Sequence, residues 1–186
     1  MVEETLVLFK NIRNPKYSKS LKGYKKADGY QTLEKVFKMK PEEVIQTVKD
    51  SGVRGRGGAG FPTGLKWSFM SKGTGKPSYL IANADESEPG TCKDRELMLK
   101  DPHLFLEGMM IGCYAIGCNH GYIYIRGEFF PAIESLNTAV EELYADGLLG
   151  PDPLGSGFHL DLTIHSGAGA YICGEESALL DSLEGK

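Results

Sequence analysis

Residues 54–67 read R-G-R-G-G-A-G-F-P-T-G-L-K-W, a stretch with five glycines, two arginines, one lysine and two aromatic side chains. Glycine lets the backbone approach a ligand closely and adopt positive φ, while exposed N–H groups and cations receive anionic oxygens. Aromatic rings can stack on a flat ring system. A surface turn needs only one or two glycines. The composition therefore favours a loop that holds a nucleotide or flavin phosphate over a plain surface loop.

The spacing G-x-G-x-x-G occurs in this loop at Gly55, Gly57 and Gly60, but its surroundings are not those of a dinucleotide-binding fingerprint. That fingerprint follows a strand and opens a helix, whereas residues 41–51, just before the loop, are predicted to be helical. A Walker A loop is also excluded, because residues 64–66 read G-L-K. We therefore expect phosphate binding in neither of these two ways.

Length and charge narrow the classes of protein to consider. The chain has 186 residues, enough for one domain with a real core, and a formal net charge of −4. That charge argues against sequence-independent nucleic-acid binding, which needs a strongly basic surface. The amino terminus lacks the features of a signal peptide, and the longest apolar stretch, residues 104–118, is shorter than the roughly 20 residues of a spanning helix. A soluble chain with no membrane insertion is predicted.

The four cysteines are Cys92, Cys113, Cys118 and Cys173. With no secretory signal, free thiols in a reducing compartment are expected. Their spacing matches neither a C-x-x-C pair nor the cysteine runs of iron–sulfur proteins. Cys113 and Cys118 fall in an apolar stretch and are expected to pack in the core. No metal site is predicted from these cysteines.

Apolar periodicity predicts helices that alternate with strands. The expected succession is an extended arm with a short helix near residues 31–38, helices beginning at Pro41, Pro102 and Pro131, and strands at residues 78–82, 122–125 and 158–165. Asp101 is expected to cap the helix that begins at Pro102. The alternation predicts an α/β domain with a largely parallel or mixed sheet over residues 41–186, preceded by an N-terminal arm, residues 1–40.

An acidic run follows the first predicted strand directly: residues 83–90 read N-A-D-E-S-E-P-G. In open α/β sheets, ligands bind beyond the carboxyl ends of the strands. An amide and three carboxylates at that place can accept hydrogen bonds from sugar hydroxyls and from ring N–H groups. A solvated acidic turn and a site for a hard cation are the alternatives.

A second glycine-rich stretch, residues 167–177, reads G-A-G-A-Y-I-C-G-E-E-S and follows the last predicted strand. A strand, a glycine-rich turn and a helix start would direct backbone N–H groups at a ligand. Glu175 and Glu176 in the first helical turn also suit the helix dipole, which is a sufficient structural reason for both. Tyr171 could equally lie in the core.

Taken together, these three stretches resemble the NADH-binding flavoprotein subunit of respiratory complex I (NADH:quinone oxidoreductase). The motifs are long, they occur in the family's order, and the match runs from about residue 29 to the last residue. The same module occurs in diaphorase subunits of NAD-linked hydrogenases and formate dehydrogenases, which remain an alternative. A nucleotide-binding scaffold without redox activity is an alternative of a different class.

The resemblance implies an FMN bound in an unusual Rossmann-like domain, with NADH stacked on it and hydride passing directly to the flavin, so no catalytic side chain is expected. By motif match, the FMN contacts are Gly55, Arg56, Gly57, Lys66, Asn83, Asp85, Glu86, Ser87, Tyr171, Gly174 and Glu175. The NADH contacts are Phe61, Lys66, Phe69, Glu88, Tyr171 and Glu176.

The family continues beyond this module through a ubiquitin-like segment and a helical domain whose cysteines hold a [4Fe–4S] cluster. The resemblance thus implies that this chain is a fragment that binds no cluster itself. It further implies partners in the peripheral arm of complex I, especially the [2Fe–2S] thioredoxin-like subunit. The expected location is cytoplasmic, peripheral on the inner face of the cell membrane.

Overall fold

The computed structural model describes residues 5–70 and 75–186. Within them, three parallel strands form one sheet: β1 (Tyr79–Ala84), β2 (His120–Ile125) and β3 (Asp161–Ser166), with β2 in the middle. Ala84 pairs with Ile125, which pairs with Ser166. The three strands therefore end level, and their carboxyl ends form a single edge.

Helices surround and connect these strands. In chain order they are α1 (Leu21–Lys26), α2 (Gln31–Val36), α3 (Pro41–Asp50), α4 (Thr63–Ser68), α5 (Lys93–Lys100), α6 (Pro102–Ile116), α7 (Phe130–Ala145) and α8 (Glu176–Leu183). Short 3₁₀ turns lie at Pro153–Gly155 and Tyr171–Gly174. Helices α5 and α6 connect β1 to β2, and α7 connects β2 to β3, as parallel strands require. The prediction of an α/β domain with a parallel sheet is confirmed.

The core forms where α6 and α7 cover the sheet. Leu106 and Met110 of α6 and Leu136 of α7 are fully buried in the same cluster as Ile123 of β2. Each such side chain contributes about 1.5–3 kcal/mol by leaving water. Cys113 and Cys118 belong to this cluster too, so their predicted packing role is confirmed.

Asp101 occupies the N-cap position of α6, as predicted, but the expected side-chain cap is absent. Its backbone lies at φ −142° and ψ 59° and its side chain makes no capping hydrogen bond. The carboxylate instead accepts hydrogen bonds from Asn11 Nδ2 at 2.9 Å and from the Tyr17 hydroxyl at 2.5 Å. A long-range tie to the N-terminal segment thus replaces the local cap.

The N-terminal segment is more than the extended arm that was predicted. Residues 21–26 form α1, with the Ser20 side chain accepting a hydrogen bond from Gly23 N at its start. Leu21 and Tyr24 are buried in the main core cluster. The predicted helix near residue 31 is present as α2, and it also contributes to the core. Helix α5, over Lys93–Lys100, was not predicted.

Strand boundaries differ from the predictions by a few residues. Strand β1 continues through Asn83 and Ala84, so Asn83 belongs to the strand end and not to the following loop. Strand β2 begins at His120, two residues before the predicted start at residue 122. Leu160 precedes β3 in an isolated bridge with Gly150.

Candidate functional site

One cavity lies at the carboxyl edge of the sheet, where the loops after β1 and β3 meet the glycine loop between α3 and α4. Its volume is about 870 Å³, within the range of ligand pockets. Ten of the predicted contact residues line it: Arg56, Gly57, Asn83, Asp85, Glu86, Ser87, Glu88, Tyr171, Gly174 and Glu175. Gly55, Phe61, Lys66, Phe69 and Glu176 are not among the residues that line it.

The glycine loop is closed at its base and open at its tip. Arg54 and Pro62 form an antiparallel bridge, and Gly55 N donates to the Phe61 carbonyl at 2.9 Å. At the tip, Gly58 and Gly60 have positive φ, and a Cβ added at either would meet nothing within 4 Å. The loop follows a helix, which agrees with the exclusion of the dinucleotide fingerprint.

Asn83 ties the first and last strands together at the cavity. Its side-chain Nδ2 donates to the Gly174 carbonyl at 2.8 Å, and its Oδ1 accepts from Asp85 N at 3.2 Å. The amide therefore joins the loop after β3 to the end of β1. Gly174 passes so close that a Cβ on it would lie 3.3 Å from the Asp85 carbonyl oxygen.

Asp85 is a buried carboxylate, and one of its two oxygens has no hydrogen-bond donor. Its Oδ1 accepts from the Ser87 hydroxyl at 3.0 Å, whereas Oδ2 is buried and has no hydrogen-bond partner within the described residues. Burial raises the pKa of Asp85, and the bond from Ser87 opposes that change. A buried acceptor without a donor costs free energy. A sugar hydroxyl or ring N–H of a bound ligand would supply that donor, so Asp85 fits a ligand of this chemistry.

Glu86 has a structural task in addition to its place in the cavity wall. Its two carboxylate oxygens accept from Asp94 N at 2.9 Å and from Arg95 N at 3.0 Å, the first turn of α5. Lys93 Nζ lies 3.8 Å from the same carboxylate. Glu86 therefore caps α5 from eight residues away, a distance at which capping motifs in sequence give no signal.

Two adjacent glutamates at the start of α8 differ in their surroundings. The Glu175 carboxylate accepts hydrogen bonds from Ser177 N and Ala178 N, both at 3.0 Å, and so caps the helix. These two N–H groups lower the pKa of Glu175. Glu176 is the first residue of α8, and none of the described residues donates a hydrogen bond to its carboxylate.

An aromatic pair is formed by one residue at the end of the glycine loop and one at the end of α4. Phe61 and Phe69 are 45% and 65% exposed, and their ring centroids are 6.2 Å apart. Lys66, on α4 between them, is exposed as well. Exposed rings this large are available to stack on a ligand, but they lie outside the residues that line the cavity.

Tyr171 lies at the surface, so the alternative that placed it in the core was wrong. The residue is 62% exposed, and its hydroxyl donates to Glu88 Oε2 at 2.5 Å. That hydrogen bond raises the pKa of the Tyr171 phenol. Both residues line the cavity.

Part of the cavity wall was not found from sequence. Its further lining residues include Lys93, Asp94, Leu97, Met98, Phe105 and Ile172. Most of them lie on α5, whose apolar pattern is too weak to indicate a helix. Met98 is almost fully buried and belongs to the main core cluster, so the cavity wall is continuous with the core here.

Metal clusters and membrane spans are both absent from the described part of the chain. No group of three or more His, Cys, Asp or Glu side chains there could hold a metal ion. None of its helices is both long and apolar enough to cross a membrane.

Comparison with curated proteins finds close relatives, each named as one subunit of NADH-quinone oxidoreductase. The chain is similar to that protein of Streptomyces coelicolor, with 59% identity over 163 residues, 88% of this chain and 36% of that protein. For the Mycobacterium tuberculosis protein the identity is 60% over 162 residues, 85% of this chain and 36% of the relative. For the Rickettsia felis protein the identity is 50% over 186 residues, which are 100% of this chain and 44% of the relative. The chain thus spans less than half the length of these curated relatives.

Solved structures and protein families agree with these relatives. An NAD⁺-reducing [NiFe]-hydrogenase in the air-oxidized state matches with a TM-score of 0.69 and 42% identity, covering 82% of this chain and 26% of that chain. Residues 48–186 match the family described as the Nuo51 FMN-binding domain, which confirms the resemblance seen in the three motifs. The chain belongs to the Nuo51 FMN-binding domain family.

Proposed function

We propose that this chain binds FMN in the cavity at the carboxyl edge of the sheet. The observation that carries the proposal is that one cavity brings together a glycine loop with a cation, Arg56, and a buried carboxylate oxygen that lacks a donor, on Asp85. Glycine N–H groups and Arg56 suit a phosphate. Asp85 suits a ribityl hydroxyl, because a carboxylate accepts without donating.

The full set of proposed FMN contacts is the one predicted from the motifs. It comprises Gly55, Arg56, Gly57, Lys66, Asn83, Asp85, Glu86, Ser87, Tyr171, Gly174 and Glu175. Support differs among its members. Asp85 offers an oxygen without a partner, whereas Glu86 and Glu175 already accept backbone N–H groups, so their oxygens have less capacity left for a ligand.

We also propose that NADH binds beside the flavin, on Glu88 and Tyr171 and on the nearby Phe61, Lys66, Phe69 and Glu176. When bound, FMN supplies the acceptor for the hydride of the nicotinamide. The contribution of the chain is to hold and orient the two ligands, since proximity and alignment alone lower the barrier of such a transfer. No side chain of this site has to move a proton in that step.

The activity that these features support best is that of the NADH-oxidising flavoprotein subunit of an NADH–quinone oxidoreductase. Relatives named as a component of that enzyme, at 50–60% identity, support it. A diaphorase subunit of an NAD-linked hydrogenase is the second candidate, and the 42% identity to an NAD⁺-reducing hydrogenase favours it. In either case electrons would pass on to iron–sulfur clusters.

We propose further that the functional protein works within a complex. Its partners would be other subunits of the peripheral arm, among them a [2Fe–2S] subunit, and its place would be the cytoplasmic face of the cell membrane. Residues 41–186 would form the cofactor-binding unit, since every residue that lines the cavity falls within that range. A [4Fe–4S] cluster would be held by other residues than these.

The flavin spectrum of the purified full-length gene product tests the proposal. We expect about one FMN per chain, with an absorbance that NADH bleaches in the absence of oxygen. A protein that purifies with a nucleotide but without flavin would instead be a binding scaffold. Subunits that co-purify would distinguish the two candidate complexes, because hydrogenase subunits and quinone-reductase subunits differ in mass and metal content.

A further inference from the structure

Positive charge is concentrated in the N-terminal part of the chain. Residues 5–40, called the basic segment below, contain ten lysine and arginine residues and two acidic residues, Asp28 and Glu34. Residues 41–186 contain 11 basic and 21 acidic residues. The formal net charge is therefore +8 for the basic segment and −10 for the remainder. The modest net charge of the whole chain conceals this strong asymmetry.

Few of these cations are neutralised within the structure. Lys25 Nζ lies 2.5 Å from Asp146 Oδ2. Lys19 Nζ donates to the Leu99 carbonyl and to the Ser135 hydroxyl, both at 3.1 Å. Seven other basic side chains of the segment are exposed and have no hydrogen bond or ion pair with any described residue: Lys10, Arg13, Lys16, Lys22, Lys26, Lys35 and Lys38. Most of the charge of the segment is thus left for solvent or for a partner.

The basic segment is fastened to the rest of the protein, so the backbone that carries the cations is held in place. The Tyr17 hydroxyl donates to Asp101, and Leu21 N donates to Glu142 Oε2 of α7 at 2.8 Å. Leu21 and Tyr24 are buried in the main core cluster. A partner would therefore meet an ordered surface, which lowers the entropy that binding costs.

Helix α1 carries the densest part of this charge. Its six residues include Lys22, Lys25 and Lys26 and no acid. Lys22 and Lys26 are four residues apart, where like charges on a helix repel each other. The three lysines line a groove of about 660 Å³ together with Leu21, Glu142, Ala145 and Asp146. Negative charge that a partner brings to this groove would relieve the repulsion between the lysines.

We propose that the basic segment, centred on Lys22 and Lys26, is a docking surface for a carboxylate-rich surface of another protein subunit. The inference rests on the proposed function in needing a complex, and it adds which face of the chain takes part. A protein can present acids to the segment alone. An extended polyanion, such as a nucleic acid or an anionic membrane, is disfavoured because the remainder of the chain carries a charge of −10 and repels it.

Cross-linking of the native complex, isolated through a tag on the full-length gene product, tests the contact. A carbodiimide joins a lysine amine directly to a carboxylate that touches it. We expect cross-links from Lys22 or Lys26 to Asp or Glu side chains of another subunit. The pair of Lys25 and Asp146 is the internal positive control, because it should cross-link within the chain. If that internal cross-link forms and none joins the basic segment to another subunit, the inference is overturned.

Charge reversal measures what the surface contributes to binding of the cross-linked subunit. Lys26→Glu should weaken that binding by a factor on the order of 10, and adding Lys22→Glu should weaken it further, because like charges would then face each other. Added salt should weaken binding to the wild type as well. Lys49→Glu, the same change at an exposed lysine of α3, is the matched control and should change the affinity less than about twofold. The amount of subunit retained on serial dilution measures each affinity.

Two further results would overturn the inference. Equal weakening by Lys26→Glu and Lys49→Glu would show a general effect of charge and no docking surface. Binding of a DNA duplex or of phosphatidylglycerol vesicles that Lys26→Glu abolishes, while the subunit stays bound, would assign the segment to a different ligand. The FMN content is measured in the same samples and should not change in any variant. An intact wild-type complex without FMN would remove the proposed function and leave the docking measurements valid.

Discussion

Two buried carboxylates in this chain have opposite surroundings. Glu107, on α6, accepts hydrogen bonds from the Tyr24 hydroxyl at 2.6 Å and from Tyr30 N and Leu33 N, both at 3.0 Å. Asp85 accepts from Ser87 alone and keeps a buried oxygen without a donor. Glu107 fastens α2 to α6 and is fully used by the fold. Asp85 is only partly used by the fold, and it is one of the residues that line the cavity.

The difference suggests how to separate structural from ligand-binding acids. A buried carboxylate whose oxygens meet protein donors contributes to stability, and its loss leaves those donors unsatisfied. One with a spare oxygen gains its donor only when a ligand binds. The following predictions test this distinction, from the largest expected effect to the smallest.

The largest effect is expected on the free energy of unfolding, when the structural carboxylate of Glu107 is removed. Glu107→Ala leaves three buried donors without an acceptor and should lower the free energy of unfolding by about 3–9 kcal/mol, at roughly 1–3 kcal/mol per donor. Urea denaturation followed by circular dichroism measures the change. Glu141→Ala, an exposed acid on α7, is the control and should cost less than about 0.5 kcal/mol. A loss for Glu107→Ala as small as that of the control would remove the contrast with Asp85.

Asp85→Asn is expected to have its main effect on the ligand. The amide that replaces Oδ2 donates instead of accepting, so FMN affinity should weaken by about 1.5–3 kcal/mol, the range for a hydrogen bond to a charged group. The unfolding free energy of the flavin-free protein should change by less than about 1 kcal/mol. Fluorescence titration with FMN and urea denaturation measure the two quantities. The contrast fails if stability falls while FMN affinity stays the same.

The two glutamates at the start of α8 show the same contrast, between an occupied and an unoccupied carboxylate, at the protein surface. Glu175 is occupied by backbone N–H groups, whereas Glu176 has none of these bonds. A free carboxylate near the adenosine ribose would repel the extra phosphate of NADPH. Glu176→Gln should therefore raise kcat/KM for NADPH relative to NADH by a factor on the order of 10. Glu175→Gln, as the paired variant, should weaken the helix cap without that gain. Equal ratios in both variants would assign Glu176 to the helix start alone.

The smallest effect is expected in how the free energy of unfolding depends on pH, through a buried histidine of α6. His103 is fully buried, with Nε2 2.9 Å from Glu142 and Nδ1 2.8 Å from the Tyr30 hydroxyl. Burial lowers the pKa of His103, against the opposing bond and charge of Glu142 and the charge of Asp101; the positive charge of Lys25 adds to the lowering.

As the pH falls, His103 is therefore protonated in the unfolded chain before it is protonated in the folded protein. The stability that neutral His103 provides is complete above about pH 6.5 and is lost as the pH falls through the lower pKa of the folded state. Unfolding free energies measured between pH 7.5 and pH 5 should fall, by about 1.4 kcal/mol for each unit by which the two pKa values differ. His159→Gln, at an exposed histidine, should retain the slope. A slope that survives His103→Gln would point to another group.

Much of the site was predictable because its residues lie in continuous motifs. Glycines, cations and acids at the ends of strands indicate a ligand through local chemistry, and ten of the predicted residues do line one cavity. The wall formed by α5 was missed because Glu86, the residue that caps this helix, lies eight positions from its partners. Phe61 and Phe69, both predicted to contact NADH, lie together outside the cavity lining, and Lys66 is outside it too.

The sequence by itself determined the alternation of strands and helices, the glycine loop and the family. These follow from periodicity and from motifs, which depend on neighbours along the chain. Only the tertiary structure decided which carboxylates are occupied: Asp101 binds Asn11 and Tyr17, and Glu107 holds α2, whereas Asp85 keeps a free oxygen. The reason is physical. Whether a buried oxygen finds a donor depends on groups far away in sequence, and the fold alone brings them within hydrogen-bonding distance.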